Sequence, residues 1–334
     1  MITLKMLAKQ CGVSVATASK AMNSAPDISA ETAARIQKAA AEMGYTPCAA
    51  ARSLKTSRSH NIGVIFCDAV SSGLTQEHFT RILDSFKRRA EELGYDLTLI
   101  CNRPGPWGGD YASHVRFRNC DGAAILVADN AAPTAQELVR SGVPVVSLDY
   151  HFDNCSCIES DNVSGIRALV EYVYNQGHRK IAAIFGDDNA VTRIRMSSFY
   201  NTCAKLGLDL PEEYIRHGRY HSSGASARAT RELMELPEPP TCILYPDDFS
   251  FFGGRQELDA MGLSVPEDVS AAGYDGISVS SAISLTTVQQ DTDAIGIAAA
   301  DELARAVEEG RGYIPRTLVI PCCLVKGATV RKVT

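Results

Sequence analysis

From Asn61 onward the chain alternates two kinds of segment, and that alternation limits its possible folds more than any other feature. Short apolar runs recur: NIGVIF (61–66), YDLTLIC (95–101), GAAILVA (122–128), VPVVSL (143–148), KIAAIF (180–185), TCILYP (241–246) and VSAAGYD (269–275). They have the length of strands and are apolar nearly throughout, which predicts burial on both faces. Helix-length stretches at 79–93, 164–176, 193–206 and 225–236 lie between several of them. Strand alternating with helix predicts parallel sheets covered by helices on each side. With 334 residues the chain exceeds one ordinary core. Two α/β units of about 100–130 residues each are expected, with a crossing near 157–161. Ligands of open α/β sheets lie beyond the carboxyl ends of the strands. The polar residues collect there: Asp68, Asp129, Asp149, Gly186, Asp187, Asp188, Asp247, Asp248 and Asp275. Taken singly, each acid is explained as well by a strand-end cap or a solvated loop.

The first 60 residues follow a different pattern. They carry eight lysines and arginines against three acids, or +5, whereas the remainder carries 25 against 36, or −11. A basic head on an acidic body predicts that only the head meets a polyanion. The head spells three short helices. Thr3 caps residues 4–11, which Gly12 ends, and Ser14 caps residues 15–23, a stretch of small and hydroxyl-bearing side chains. Pro26 and Asp27 break the chain, Ser29 caps residues 30–43 with Ile36, Ala40 and Met43 on one face, and Gly44 stops it. Helix, glycine turn and short helix match a helix-turn-helix, whose second helix enters the DNA major groove by its N-terminal residues. Spacing alone equally admits a small helical subdomain packed on another surface. Residues 48–55 are too few to be helical alone in water. They precede a polar linker, TSRSH, and are expected to order only against a partner.

Composition narrows the class further. The chain is 45% apolar and 22% charged, ordinary for a soluble protein. No apolar run approaches the roughly 18 residues of a membrane span. MITLKMLAKQ lacks the apolar run and cleavage site of a secretory signal, so a cytoplasmic location is expected. The eleven cysteines have no C-x-x-C spacing, their closest pairs being Cys155/Cys157 and Cys322/Cys323, and most are expected to be reduced, buried and apolar in behaviour. No histidine accompanies Asp187–Asp188 or Asp247–Asp248 at a metal-binding spacing, so no metal is expected. No G-x-G-x-x-G after a strand, P-loop or G-x-S-x-G elbow is present. That weighs against an enzyme, and the basic head weighs against an exported solute-binding protein.

Taken together, these residues resemble the LacI/GalR family of bacterial transcription regulators over nearly the whole chain. TLKMLAKQCGVSVATASKAMN and ISAETAARIQKAAAEMGYTPCAAARSLKT are similar to the family's head and hinge. NIGVIF, QGHRKIAAIFG, VPEDVSAAGYDG, LTTVQQDTDAIGIAAADEL and LVIPCCLVKGAT are similar to family blocks, in family order. The resemblance implies an α/β chain with an all-α helix-turn-helix head (1–46) and a hinge helix and linker (47–60). The body (61–334) would be two-lobed and periplasmic-binding-protein-like, built on two doubly wound parallel sheets. Its N-lobe would hold 61–158 plus 291–316, and its C-lobe 159–290 plus 317–330. The resemblance also implies a homodimer on double-stranded, pseudo-palindromic operator DNA, with a small-molecule effector and no cofactor. The chain ends at Thr334 without a heptad tail, which predicts dimers and not tetramers.

Matched residue by residue, the implied DNA contacts are Thr3, Ser14, Val15, Ala16, Thr17, Ser19, Lys20 and Asn23 in the head, and Ala51, Arg52, Leu54 and Lys55 in the hinge. Val15 and Ala16 stand at base-reading positions, and their small apolar side chains suit thymine methyls better than bidentate hydrogen bonds. Lys20 stands where an arginine is common. Leu54 matches a leucine that the family wedges into the minor groove, kinking the duplex. The implied effector contacts are His78, Phe79, Asp149, Arg195, Tyr220, Asp247 and Asp275. Carboxylates that accept hydroxyl protons, an arginine fork and an aromatic face suit a polyhydroxylated ligand. Arg195 and Asp275 are expected at strand ends of the C-lobe, and Asp149 at one of the N-lobe. His78 replaces an aromatic residue, Ser198 a glycine and Phe251 a small residue, and all three are expected to reshape the pocket. The expected function is repression of carbohydrate-utilisation genes, relieved by a sugar. A nucleobase or a phosphoprotein co-repressor is the alternative effector.

Overall fold

The computed structural model describes residues 2–22, 25, 27–46, 58–66, 73–101, 103–127 and 133–333. Asn23, Asp68, Asp129 and the hinge residues Ala51, Arg52, Leu54 and Lys55 lie outside them. The chain divides into two compact units between His60 and Asn61.

In the first unit the cap residues act as their chemistry demands. Thr3 Oγ1 accepts from the Met6 N–H at 3.3 Å and opens α1 (Leu4–Cys11), which Gly12 closes at φ +63°. Ser14 Oγ accepts from the Thr17 N–H at 3.0 Å and opens α2 (Val15–Met22). Ser29 opens α3 (Ala30–Met43), and Gly44 closes it at φ +67°. Leu7, Cys11, Ala21, Ile36 and Ala40 form the core between them. Arg35 Nη1 donates to the Cys11 carbonyl at 3.0 Å and Gln37 Nε2 to the Ala21 carbonyl at 3.1 Å, which satisfies acceptors at two helix ends.

The second unit contains two six-stranded sheets. The first holds β1 (Asn61–Phe66), β2 (Asp96–Ile100), β3 (Gly122–Val127), β4 (Val145–Leu148), β5 (Ser156–Ser160) and β11 (Thr317–Ile320) in the order β11-β5-β4-β3-β1-β2, all parallel. The second holds β6 (Ile181–Phe185), β7 (Ile215–His217), β8 (Cys242–Leu244), β9 (Ser270–Asp275), β10 (Thr286–Gln290) and β12 (Cys322–Val325) in the order β12-β10-β9-β8-β6-β7. There β12 runs antiparallel to β10 and the other pairs are parallel.

Helices cover both faces of each sheet, as fully apolar strands require. On the first sheet, α4 (Glu77–Glu92) packs with the long helix that follows β10, and α5 (Tyr111–Phe117) and α6 (Pro133–Arg140) cover the opposite face. On the second, α7 (Asn162–Asn175) and α8 (Ala190–Lys205) cover one face, and α9 (Ser223–Met234) and α10 (Asp248–Ala260) the other. The short α11 (Ser278–Ala282) precedes β10, and α12 (Thr292–Glu309) is that long helix. Gly296 lets α12 close onto α4, since a Cβ there would lie 2.0 Å from Ser85 Oγ.

The chain crosses between the sheets three times: after Ser160, after Gln290 and at Pro321. Asp161 and Asp291 follow the first two crossing strands and cap the helices beyond, accepting from Ser164 N and Ala294 N at 2.9 Å each. These crossings correct the expected lobe boundaries. Residues 159–160 complete β5 of the first sheet, and β11, expected in the C-lobe, pairs with β5 instead. The third crossing therefore falls at 321, not at 316/317. LVIPCCLV reads as one apolar run, but Pro321 has no N–H to donate to a ladder, and the chain changes sheets there.

Candidate functional site

Two surfaces concern function. In the head, Ala18 and Ala21 are buried, and the exposed residues of α2 lie mostly on its other face. Thr3, Ser14, Val15, Ala16 and Lys20 are exposed, and Thr17 and Ser19 are half-buried. The two hydroxyls nearest the turn bind each other, Ser14 Oγ to Thr17 Oγ1 at 2.9 Å. Val15 is 45% exposed, a considerable apolar area at a helix N-terminus. Lys20 Nζ is paired with Asp27, whose carboxyl it holds below the usual range. Small residues on the inner face thus allow close packing, and small residues on the outer face leave the backbone approachable.

In the body, the expected effector residues come together from both lobes. Arg195, 6% exposed, donates through Nε to Asn162 Oδ1 at 2.8 Å and through Nη1 to the Pro246 carbonyl at 3.0 Å. Its guanidinium lies 3.6 Å from the Tyr274 ring centroid and 5.8 Å from that of Tyr220. Asp149, at the end of β4, and Asp275, at the end of β9, both feel its charge, as does His78 in the first turn of α4. Both acids have left-handed backbones, with φ +54° at Asp149 and +104° at Asp275. Such conformations are uncommon outside glycine and concentrate at functional sites.

Aromatic residues line the approach. His78 and Phe79 meet edge-on at 5.0 Å, and Phe79 of the N-lobe reaches His221 of the C-lobe at 6.2 Å. Tyr220 is fixed by its hydroxyl on Thr192 Oγ1 at 2.9 Å and by its N–H on Asp187 Oδ2 at 3.1 Å. Gly186 makes that placement possible, because a Cβ there would lie 2.3 Å from the ring. A second link between the lobes is polar: Glu77 accepts from Ser278 N at 2.7 Å and from Ser278 Oγ at 2.8 Å.

Burial sets the protonation states. It raises the Asp149 carboxyl to about 6, with Glu159 and Asp275 adding to the rise and Arg195 opposing it. It raises Asp275 to about 6, with Asp247 adding and Arg195, His221 and Gln290 opposing. It pushes the His78 imidazole down to about 3, with Arg195, His221 and Arg81 helping, so the ring is neutral at pH 7. His78 Nδ1 is buried and has no hydrogen-bond partner.

The structure corrects four placements. Arg195 projects from the body of α8, not from a strand end. Asp247 is first a helix cap, accepting from Ser250 N at 2.7 Å and Ser250 Oγ at 3.0 Å, and from His221 N at 2.9 Å. Ser198 does not shape the pocket: its Oγ donates to the Val163 carbonyl at 2.7 Å and ties α8 to α7. Phe251 is 1% exposed within the outer core of the C-lobe, beside Tyr245.

Sequence reasoning missed the residues that hold the site. Asn162 orients Arg195. Gln290 Nε2 donates to Asp275 Oδ1 at 2.7 Å. Asp248 reads in sequence only as one of the strand-end acids; fully buried, it accepts from Gly276 N, Ile277 N, Ser280 Oγ and Thr287 Oγ1 between 2.6 and 3.0 Å, and so fixes the turn after Asp275. His221, beside Tyr220, was signalled only by that adjacency.

Comparison with known proteins agrees with this arrangement. Residues 3–48 match the model of bacterial regulatory proteins of the lacI family, and residues 170–330 match that of a periplasmic binding protein-like domain. The ribose operon repressor of Escherichia coli (strain K12) is 29% identical over 98% of this chain and 100% of its own. The HTH-type transcriptional repressor PurR of Vibrio atlanticus is 27% identical over 92% of this chain and 93% of its own. A crystal structure of the lac repressor dimer bound to operator and the anti-inducer ONPF superposes with a TM-score of 0.84, at 26% identity and over 99% of both chains. With the lacI-family model on the head, a binding-protein domain on residues 170–330 and repressors matching from end to end, the chain is similar over its whole length to the lacI family of bacterial regulatory proteins.

Proposed function

We propose that this chain is a sequence-specific repressor that binds operator DNA as a homodimer and is released when an uncharged, polyhydroxylated effector, a sugar or sugar derivative, binds between its lobes. The observation that carries this reading is the placement of Arg195 under the influence of Asp149 from one lobe and Asp275 from the other. A ligand that engages all three touches both lobes. It can then favour one lobe arrangement, and an effector shifts DNA affinity only through such differential binding. Asp149 and Asp275 both bear on the buried Arg195, Asp247 bears on Asp275, and His78 is neutral, so the field disfavours a phosphorylated ligand. The carboxylates and the remaining donors of Arg195 serve hydroxyls, and Phe79 and Tyr220 supply apolar faces. That the relatives are repressors supports reading the chain as a binding protein and not an enzyme.

A thermal-shift screen of mono- and disaccharides identifies the effector, because a ligand of the folded state raises its melting temperature by mass action. Operator titration with and without the hit then tests release. Should no neutral sugar stabilise the body while a nucleobase or sugar phosphate does, the effector assignment fails and the regulator assignment stands. For the hinge, Leu54→Ala is expected to weaken operator binding at least about tenfold with effector binding unchanged, because the wedge exchanges unstacking for wider contact. Equal operator affinity at one salt concentration sinks the wedge.

The Lys20–Asp27 pair adds a prediction of its own. Asp27 competes with phosphate for the Lys20 ammonium, and both side chains are about half exposed. Asp27→Asn is expected to raise operator affinity several-fold and to steepen its salt dependence by about one counterion. Salt titrations of the two proteins on one operator measure both quantities, and parallel lines of equal affinity contradict the competition.

A further inference from the structure

The loop after β4 and the strand β5 bring together three side chains that the effector site does not use. Cys157 and Glu159 are two apart on β5 and so share one face of the sheet, opposite Ile158, which faces the core under α4 and α12. His151 comes back over that face from the loop. Its ligand nitrogen, the Cys157 sulfur and a Glu159 oxygen all lie within 4.8 Å of one another. His151 Nε2 is 3.0 Å from Glu159 Oε2, and its Nδ1 is 3.5 Å from Thr317 Oγ1 on the neighbouring β11. An imidazole with one nitrogen aimed into a cluster and the other near a side-chain oxygen resembles the outer-shell arrangement of metal-ligating histidines.

We propose that His151, Cys157 and Glu159 form a binding site for a zinc-type divalent cation on the N-lobe. The donor set decides the class. One imidazole, one thiolate and one carboxylate suit Zn2+ and other late first-row cations, whereas Mg2+ and Ca2+ take oxygen donors. Three protein ligands leave a fourth position for water or for an added donor. His151, 55% exposed, provides the way in, and Cys157 and Glu159 form the covered floor. On binding, the Cys157 thiol gives its proton to solvent and His151 binds as the neutral imidazole, so metal uptake releases protons. The cation would tie the loop that begins at Asp149 to β5, the strand that leads into the first crossing.

The test uses the full chain, reduced and stripped of metal with chelator, and titrated with Co2+ as a spectroscopic substitute for Zn2+. One equivalent is expected to give thiolate-to-cobalt charge-transfer absorption in the near ultraviolet, and Zn2+ is expected to displace it. Cys157→Ser is expected to abolish the band. His151→Ala is expected to weaken Co2+ binding at least about tenfold, through loss of one of three ligands. Cys155→Ser serves as the control that keeps the band, since its sulfur is engaged with Ser147 and the Val145 carbonyl. His151 is exposed, so His151→Ala tests the site even if Cys157→Ser folds poorly. The proposal is overturned if the wild type gives no band, or if His151→Ala binds Co2+ as the wild type does.

Discussion

Replacing Arg195 by alanine is expected to weaken effector binding about a hundredfold, on the basis of two lost charge-assisted hydrogen bonds at roughly 1.5 kcal/mol each, while operator binding without effector is unchanged. The side chain is oriented before any ligand arrives, by Asn162 Oδ1, the Pro246 carbonyl and the Tyr274 face. Alanine removes the donors and leaves Asp149 and Asp275 without the charge that opposes their burial. The second effect has a signature in pH. In the wild type Asp275 has a carboxyl raised to about 6, so its value as a charged acceptor, and the affinity that depends on it, declines as pH falls through 6. Without Arg195 that carboxyl rises further, and the decline begins at higher pH. Stability follows the same sign. An acid whose folded pKa exceeds its unfolded value is protonated first in the folded state, so its destabilising contribution is present at high pH and is relieved as pH falls. The stability deficit of Arg195→Ala is therefore wider above pH 6 than below it, and narrows toward pH 5. Effector titrations and melting curves at several pH values measure both trends. An intact effector response places the pocket elsewhere, and loss of operator binding in the absence of effector makes Arg195 a structural residue only.

Glu302→Ala is expected to destabilise the body by roughly 3 kcal/mol, the low end for breaking a buried ion pair, because its arginine partners keep access to water. Glu302 is 1% exposed on α12. Its Oε1 accepts from Arg305 Nη2 at 2.6 Å, Tyr313 OH at 2.8 Å and Ser156 Oγ at 2.9 Å, and its Oε2 from Arg316 Nη2 at 2.9 Å. Burial pushes this carboxyl up, but Arg305, Arg316, Tyr313 and Ser156 outweigh it and hold the group down at about 2. An acid depressed in the folded state contributes stability that is present above its unfolded pKa and lost as pH falls through the folded one. The window here runs from about 4.5 down to about 2. Glu302→Gln keeps the shape without the charge. Its deficit against wild type should be wide at pH 7, shrink as pH falls below about 4.5 and close only near pH 2, as calorimetry can show. A deficit that is constant with pH means that the charge contributes nothing.

The two effects differ in how far the sequence foretells them. Local rules sufficed for the head: Thr3, Ser14 and Ser29 cap, and Gly12 and Gly44 stop, because a cap bonds within three residues and a left-handed stop concerns a single φ. The α/β alternation was likewise legible, since a strand buried on both faces must be apolar throughout. The set Asp149, Arg195 and Asp275 was legible through family resemblance, but not the helical seat of Arg195 or the capping work of Asp247.

Other features belong to tertiary structure alone. Asn162 meets Arg195 across 33 positions, Glu77 meets Ser278 across 201, and Ser156 meets Glu302 across 146. No period or spacing encodes such pairs, because each depends on where two separate elements come to rest. The same holds for β11, whose alternating pattern fits either sheet, and for His151, which joins Cys157 and Glu159 only once its loop returns over β5. The sequence by itself determined the three helices of the head, the α/β alternation of the body and seven of the twelve strands described there, because those choices are settled by neighbours along the chain. Only the tertiary structure decided which sheet receives β11 and which buried charges face one another, because burial and electrostatics act through space, between groups whose distance is not defined until the chain is packed.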